Sequence, residues 1–168
     1  MLALAEKKEV EPIIFGGGQE SGIRSGTTPV PLAVCTAKAM RLAVEELEAN
    51  QLKMWNMTNS LIPFLQKFKD VKIISPEQRA PHILTFSVRN IKGEVLINAL
   101  QEKDVIVSTS SACSSRQTKT SHVLQAMHLS DEYINGVIRL SVSHENTMDE
   151  IEQFKHIFKE AMSVIKGD

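Results

Sequence analysis

Residues 137–158 read VIRLSVSHENTMDEIEQFKHIF, and this stretch decides the fold of the carboxy-terminal part of the chain. Its first seven residues are mostly β-branched or apolar, which predicts a strand. Thr147 is followed three residues later by Glu150, the pattern of a capping box that starts a helix. Apolar residues then recur at helical spacing and predict a helix that buries one face, lined by Ile151, Phe154, Phe158, Met162 and Ile165.

The residues between Val71 and this stretch read as short strands and helices. Strands are predicted in VKIIS and HILTFSV, and a helix is predicted in KGEVLINALQEKD. A short strand in VIVST then leads to a polar loop and to a helix in SHVLQAMHL. The order strand, strand, helix, strand, loop, helix, strand, helix predicts an α+β domain over residues 69–168. We expect a small mixed or antiparallel sheet with helices on one side.

The amino-terminal part has a different pattern. Residues 32–68 are helical in their spacing, and Pro63 predicts a kink or a new start there. Cys35 lies on the apolar stripe of this region, which indicates a small core residue. Residues 1–31 contain two short predicted strands, in MLALA and PIIFGGG, and a glycine-rich loop. Because these strands have too little partner structure for a domain, we expect that the chain is cut from a larger protein.

Composition excludes several classes of protein. The chain has 168 residues, of which 42% are hydrophobic and 23% are charged, so a folded core is expected. The formal net charge of −1 gives no overall electrostatic case for direct nucleic-acid binding. No apolar run approaches the length that spans a membrane. Two cysteines cannot form a disulfide framework, so a reducing, cytoplasmic location is expected.

Cys113 lies in the polar stretch VSTSSACSSRQ, which has no period of a buried strand or helix. A reactive cysteine needs access and nearby positive or polar groups that stabilise its thiolate. Arg116, Lys119 and His122 follow closely in the sequence. The pattern favours a reactive thiol on a poorly ordered loop over a buried structural thiol.

The glycine-rich loop GGGQESGIRSGT matches neither the dinucleotide fingerprint nor the P-loop. Successive glycines allow backbone N–H groups to converge on an anion. Arg24, Ser25 and Thr27 could add charge and hydroxyl donors to a phosphate. A tight surface turn explains the same residues equally well, and both readings stay open.

Arg139 lies within the otherwise apolar stretch VIRLSVS and needs an acidic partner. A structural salt bridge with an acid of this chain and the carboxylate of a ligand are the two candidates. The five histidines show no metal-ligand spacing, so no metal site is predicted.

Three elements together resemble the carboxy-terminal half of a cysteine desulfurase. They are GGGQESGIRSGT, then VSTSSACSS, then SHVLQAMHLSDEYINGVIRLSVSHENTMDEI. The resemblance is to the NifS-like group of the class V aminotransferase relatives, which have fold type I and use pyridoxal phosphate. It implies that residues 1–31 are a remnant of the large cofactor domain and that residues 32–68 are the connection between domains. Residues 69–168 would then be the small carboxy-terminal domain.

The resemblance implies roles for single residues. Enzymes of that group take sulfur from L-cysteine and leave L-alanine. Cys113 would attack the substrate sulfur, become a persulfide, and swing to an acceptor protein that serves iron–sulfur clusters or tRNA thiolation. Arg139 would hold the substrate carboxylate. Thr27 would reach the cofactor phosphate of the neighbouring subunit in a homodimer, within a supporting loop of Arg24, Ser25 and Gly26.

The sequence also departs from that family. The lysine that bonds the cofactor lies in a Ser-x-His-Lys segment, which this sequence lacks, and Lys7 and Lys8 do not match it. The aspartate and histidine that hold the cofactor ring are missing as well. We therefore expect this chain alone to bind pyridoxal phosphate poorly and not to turn over cysteine.

Two other interpretations remain. A selenocysteine lyase or another class V relative would use the same cofactor. A cofactor-free sulfur-acceptor or interaction module would keep the Cys113 thiol and form a stable monomer or dimer. The desulfurase interpretation predicts exposed apolar surface around residues 1–31, where a missing domain would pack.

Overall fold

An antiparallel sheet organises the carboxy-terminal part of the chain. The computed structural model describes residues 10–109 and 122–167, and the chain divides into two compact units, Met1–Glu46 and Leu47–Asp168. Within the described part of the second unit, the sheet consists of β1 (Val71–Ile73), β2 (Ile83–Val88), β3 (Ser108–Thr109) and β4 (Val137–Ser141). Their spatial order is β1-β2-β4-β3, and every neighbouring pair is antiparallel. The predicted α+β class is confirmed.

Helices account for most of the remaining described residues. They are α1 (Val30–Glu45), α2 (Leu47–Leu65), α3 (Gly93–Gln101), α4 (His122–Ala126), α5 (Asp131–Ile134) and α6 (Met148–Lys166), with a 3-10 turn at Glu20–Gly22. Among the helices described, none is both long and apolar enough to cross a membrane.

The core of the second unit lies between one face of the sheet and the helices α2, α3 and α6. Leu84, Phe86 and Val88 alternate along β2 and are fully buried. Phe158 of α6 is also fully buried and lies at the centre of an aromatic cluster. Its ring centroid is 5.3–6.0 Å from four others, those of Phe64, Phe68, Phe86 and Phe154.

The predicted start of the last helix is confirmed in atomic detail. The Glu150 N–H donates to Thr147 Oγ1 at 3.2 Å, and the Thr147 N–H donates to Glu150 Oε2 at 2.8 Å. These reciprocal bonds satisfy two amides that the first helical turn would otherwise leave without partners. They also hold the pKa of Glu150 below its usual range, chiefly through the Thr147 amide. Four residues of the predicted stripe are buried, and the fifth, Ile165, packs against the core while half-buried.

The helical region 32–68 differs from its prediction. The break falls at Glu46, between α1 and α2, whereas Pro63 lies inside α2 close to its last residue. No residue of α1 is buried, and Cys35 is exposed, so its prediction as a core residue is wrong. The apolar residues of α1 do recur at helical spacing, but no described residue packs over them to bury them. The division into residues 1–31, 32–68 and 69–168 stays a prediction.

The predicted strand in PIIFGGG is also wrong, because residues 12–18 form bends without strand pairing. Apolar residues alone do not make a strand when no neighbouring strand accepts their backbone hydrogen bonds. Ile13 and Phe15 are 90% and 81% exposed, which agrees with the expected apolar surface in this region. The other predicted strand, MLALA, lies outside the described residues.

Candidate functional site

Arg139 lies on the polar face of the sheet. Along β4, Ile138 and Leu140 face the core, and Arg139 between them is exposed. It stands directly opposite Thr85 of β2 and Ser108 of β3. Directly opposed residues of antiparallel strands share one face, so a guanidinium and two hydroxyl side chains form a row across three strands.

The guanidinium of Arg139 has no acidic partner in the part of the chain that the structure describes. It also makes no hydrogen bond with the residues described. A structural salt bridge was one of the two explanations of this arginine, and no described acid provides it. The planar group carries donors suited to a bidentate carboxylate, and it is accessible from solvent.

The strand β3 leads from this row into the cysteine loop. The Thr109 hydroxyl donates to the carbonyl oxygen of Val137 at 2.8 Å, which ties the end of β3 to β4. Gly93 makes this contact possible, because a Cβ there would stand 2.7 Å from Thr109 Oγ1. Cys113 and the cations Arg116 and Lys119 lie outside the described residues, as does the predicted disorder of their loop.

The glycine-rich loop of the first unit is closed mainly by its own groups. The Gly26 N–H donates to Gln19 Oε1 at 3.0 Å, and the Gly22 N–H donates to the carbonyl oxygens of Gly18 and Gln19, each at 3.1 Å. Gly26 has a φ of 122°, which a residue with a side chain rarely adopts. The role of Gln19 in closing this loop was not predicted from the sequence. Its position among the glycines was the one feature that could have indicated it. These bonds favour a tight turn over a cradle of amides that converge on an anion.

The four predicted loop residues differ in their accessibility. Thr27 is exposed, and its hydroxyl has no hydrogen-bond partner among the residues described. Ser25 is only 4% exposed, and the Arg24 guanidinium donates to its carbonyl oxygen. Of these two hydroxyl side chains, that of Thr27 is therefore accessible to a ligand, whereas Ser25 is a structural residue of the turn.

These residues fit only part of a pyridoxal-phosphate site. Thr27 suits a phosphate oxygen and Arg139 suits a substrate carboxylate, and the two residues belong to different units. The Ser-x-His-Lys segment that would bond the cofactor is not in the sequence.

Comparison with known proteins identifies the family of the chain. The sequence profile of the aminotransferase class-V family matches residues 5–154. The chain is 34% identical over 151 residues to a NifS/IcsS protein homolog of Lactobacillus delbrueckii subsp. bulgaricus, covering 89% of the chain and 39% of that protein. It is 39% identical over 144 residues to the cysteine desulfurase IscS of Klebsiella pneumoniae, covering 85% of the chain and 35% of that enzyme.

Two solved structures share its fold. One is a NifS-like protein with a TM-score of 0.81 and 34% identity, matched over 96% of this chain and 41% of the other. The second is the NifS-like protein of Rickettsia africae, with a TM-score of 0.79 and 29% identity, matched over 93% and 41%. The chain thus spans well under half the length of these relatives. Because the family profile covers most of its residues, the chain belongs to the class-V aminotransferase family.

Proposed function

We propose that this chain is the carboxy-terminal part of a pyridoxal-phosphate-dependent cysteine desulfurase. The observation that carries the proposal is the opposition of Arg139 to Ser108, because Ser108 lies five residues before Cys113. Five peptide links span at most about 18 Å, so the chain limits how far Cys113 can lie from the strand pairing that holds Arg139. A carboxylate anchor and a tethered thiol are two of the groups that removal of sulfur from an amino acid requires, and the cofactor is the third.

The chain's own residues have separate tasks in this reaction. Arg139 binds the carboxylate of L-cysteine and fixes its orientation. The Cys113 thiolate attacks the substrate sulfur, so that an S–S bond forms while the carbon–sulfur bond breaks. The carbon that is left takes the electron pair and a proton and becomes the methyl group of L-alanine. In the assembled enzyme, bound pyridoxal phosphate would supply the electron withdrawal that this step needs.

Several finer features belong to the same proposal. The enzyme is a homodimer in which Thr27 contacts the cofactor phosphate of the neighbouring subunit. The persulfide on Cys113 passes to an acceptor protein of iron–sulfur cluster assembly or tRNA thiolation in the cytoplasm. Without the cofactor-bonding lysine, the isolated chain does not turn over L-cysteine.

The test uses the product of the complete reading frame, analysed by absorption spectroscopy and by mass spectrometry of the intact protein. We expect a yellow protein that gains one sulfur atom on Cys113 when it is given L-cysteine and releases alanine. Cys113→Ser should stop sulfur loading, while Arg139→Gln should raise the L-cysteine concentration that loading requires. A colourless product that takes no sulfur from cysteine contradicts the proposal.

The same experiment separates the alternatives. A selenocysteine lyase would release selenium from selenocysteine much faster than sulfur from cysteine. A cofactor-free acceptor module would gain sulfur on Cys113 only from a persulfide donor protein. We favour the desulfurase because two of the proteins with which this chain shares sequence are named for NifS or IscS and one carries that activity in its name.

A further inference from the structure

An open groove runs between α2 and α6, on the outer side of the helical layer. It encloses about 430 Å³ and is lined by Pro63, Phe64 and Lys67 from α2 and the turn after it, and by Lys155, His156 and Lys159 from α6. We call it the α2–α6 groove. The lining residues recur at helical spacing on both elements, so each contributes one continuous face. On α6 this face lies beside the one that carries Phe154 and Phe158, which are buried in the core.

The α2–α6 groove carries more positively charged side chains than acidic ones. One carboxylate, that of Glu152, pairs with Lys155 at 2.6 Å. Within the described residues, Lys67 and Lys159 have no ion-pair partner, and the His156 ring has none either. Lys155 and Lys159 are four residues apart on α6, an arrangement in which like charges destabilise a helix. The cluster therefore adds nothing to helix stability, and it offers unpaired cations to an anionic group.

The floor of the α2–α6 groove is apolar and already ordered. Phe64 is half-buried, and its ring packs edge-to-face against Phe68, with centroids 5.4 Å apart, and against Phe158, with centroids 6.0 Å apart. Pro63 beside it has a fixed φ angle. An apolar side chain that docks on such a surface loses little entropy in ordering the receptor, because the receptor does not rearrange.

We propose that the α2–α6 groove binds an acidic peptide segment of a partner protein. Its carboxylates would pair with Lys67 and Lys159, and an apolar side chain between them would rest on Phe64 and Pro63. Nucleic acid fits the observations less well, because it needs an extended basic surface along its backbone, and this chain has a net charge of −1. An acidic peptide, which offers both carboxylates and an apolar side chain, matches the groove better than nucleic acid does.

This interaction is independent of the proposed sulfur chemistry. The helices α2 and α6 cover the face of the sheet that carries Phe86 and Ile138, whereas Arg139 points from the opposite face. A partner bound in the groove therefore leaves Arg139 accessible to substrate. The inference holds for the chain as it is, whether or not the desulfurase proposal survives.

The test measures fluorescence anisotropy of the 168-residue chain with a labelled peptide, Glu-Glu-Asp-Leu-Phe-Asp-Glu-Glu. The Lys67→Glu, Lys159→Glu double variant should bind the peptide at least about tenfold more weakly, because two attractions become repulsions. The matched control, Lys38→Glu with Lys103→Glu, has the same net charge and should stay within about twofold of the unchanged chain. Circular dichroism checks that both variants, whose substituted side chains are all exposed, remain folded.

Two further probes distinguish an acidic peptide from a nucleic acid as the occupant of the groove. The peptide with every acid replaced by its amide should bind weakly, and added salt should weaken binding of the acidic peptide. Equal losses in both double variants, or no binding of the acidic peptide to the unchanged chain, would overturn the proposal. So would a short oligouridylate that binds more tightly than the acidic peptide and loses affinity in the groove variant.

Discussion

Arg139 and Ser108 stand directly opposite each other across β4 and β3. This pairing places the arginine of β4, one of the two inner strands, beside the strand that leads into the cysteine loop. This opposition depends on the register of the two strands. A shift of one residue would turn the Arg139 side chain towards the core. The alternation of buried Ile138 and Leu140 with Arg139 holds that register, because a shift would expose both apolar side chains.

The substitution Arg139→Gln should leave stability almost unchanged. The guanidinium is exposed and has no ion-pair partner among the described residues, so the free energy of unfolding should change by less than about 0.5 kcal/mol. Urea denaturation of the chain measures this. A loss of several kcal/mol would mean that Arg139 serves the fold and would weaken its assignment to a substrate carboxylate.

The substitution Phe158→Ala should strongly destabilise the second unit. Phe158 is fully buried and contacts the rings of α2, β2 and α6, so truncation should cost about 4 kcal/mol through lost burial and a cavity. The matched control on the same helix is Val164→Ala, where the side chain is 80% exposed. Its effect on the urea midpoint should be slight, and similar effects of the two substitutions would contradict the described core.

The substitution Gly136→Ala tests a close approach of backbones. A Cβ at this position would stand 2.0 Å from the Val88 carbonyl oxygen and 2.8 Å from that of Ile91. Because Val88 pairs with Val71 in the sheet, its carbonyl oxygen cannot move away freely, and we expect a loss of about 3 kcal/mol. Gly167→Ala is the control, because open space surrounds it and only its φ of 72° is strained, a cost of about 1 kcal/mol. In thermal unfolding, the melting temperature of Gly136→Ala should be clearly lower than that of Gly167→Ala.

Asp70 should make stability depend on pH in the acid range. Hydrogen bonds from Lys166 and from Arg89 hold the pKa of Asp70 below its ordinary value of 3.8. A carboxyl whose pKa is lower in the folded chain binds its proton more weakly there than when unfolded. Its contribution is therefore complete above that ordinary value and is lost as the pH falls through the lower, folded pKa.

The substitution Asp70→Asn should accordingly lower the melting temperature at neutral pH. The difference from the unchanged chain should shrink as the pH falls below 3.8. Asp104→Asn is the control, because Asp104 has no described side-chain partner, and asparagine tolerates its φ of 61° equally well. A difference that stays constant with pH would show that the Asp70 network contributes no linked stability.

Features that depend on nearby residues could be predicted from the sequence. The capping box of Thr147 and Glu150 and the apolar stripe of α6 are set within a few residues, and both are confirmed. The alternation of β2 is equally local. The strand in PIIFGGG and the burial of Cys35 were predicted from the same kind of pattern and are wrong, because a pattern does not show whether a neighbour is present to cover it.

The sequence by itself therefore determined the class of the domain, the order of its elements and the residue types on which the proposed sulfur chemistry rests. Only the tertiary structure decided which groups meet. Arg139 acquires Ser108 and Thr85 as neighbours through strand register, and Lys67 and Lys159 line one groove because α2 and α6 pack side by side. Spacing along the chain fixes helix and strand faces, because those periods are local. Contacts between distant residues follow from the burial of apolar surface by the whole unit, which no short stretch of sequence specifies.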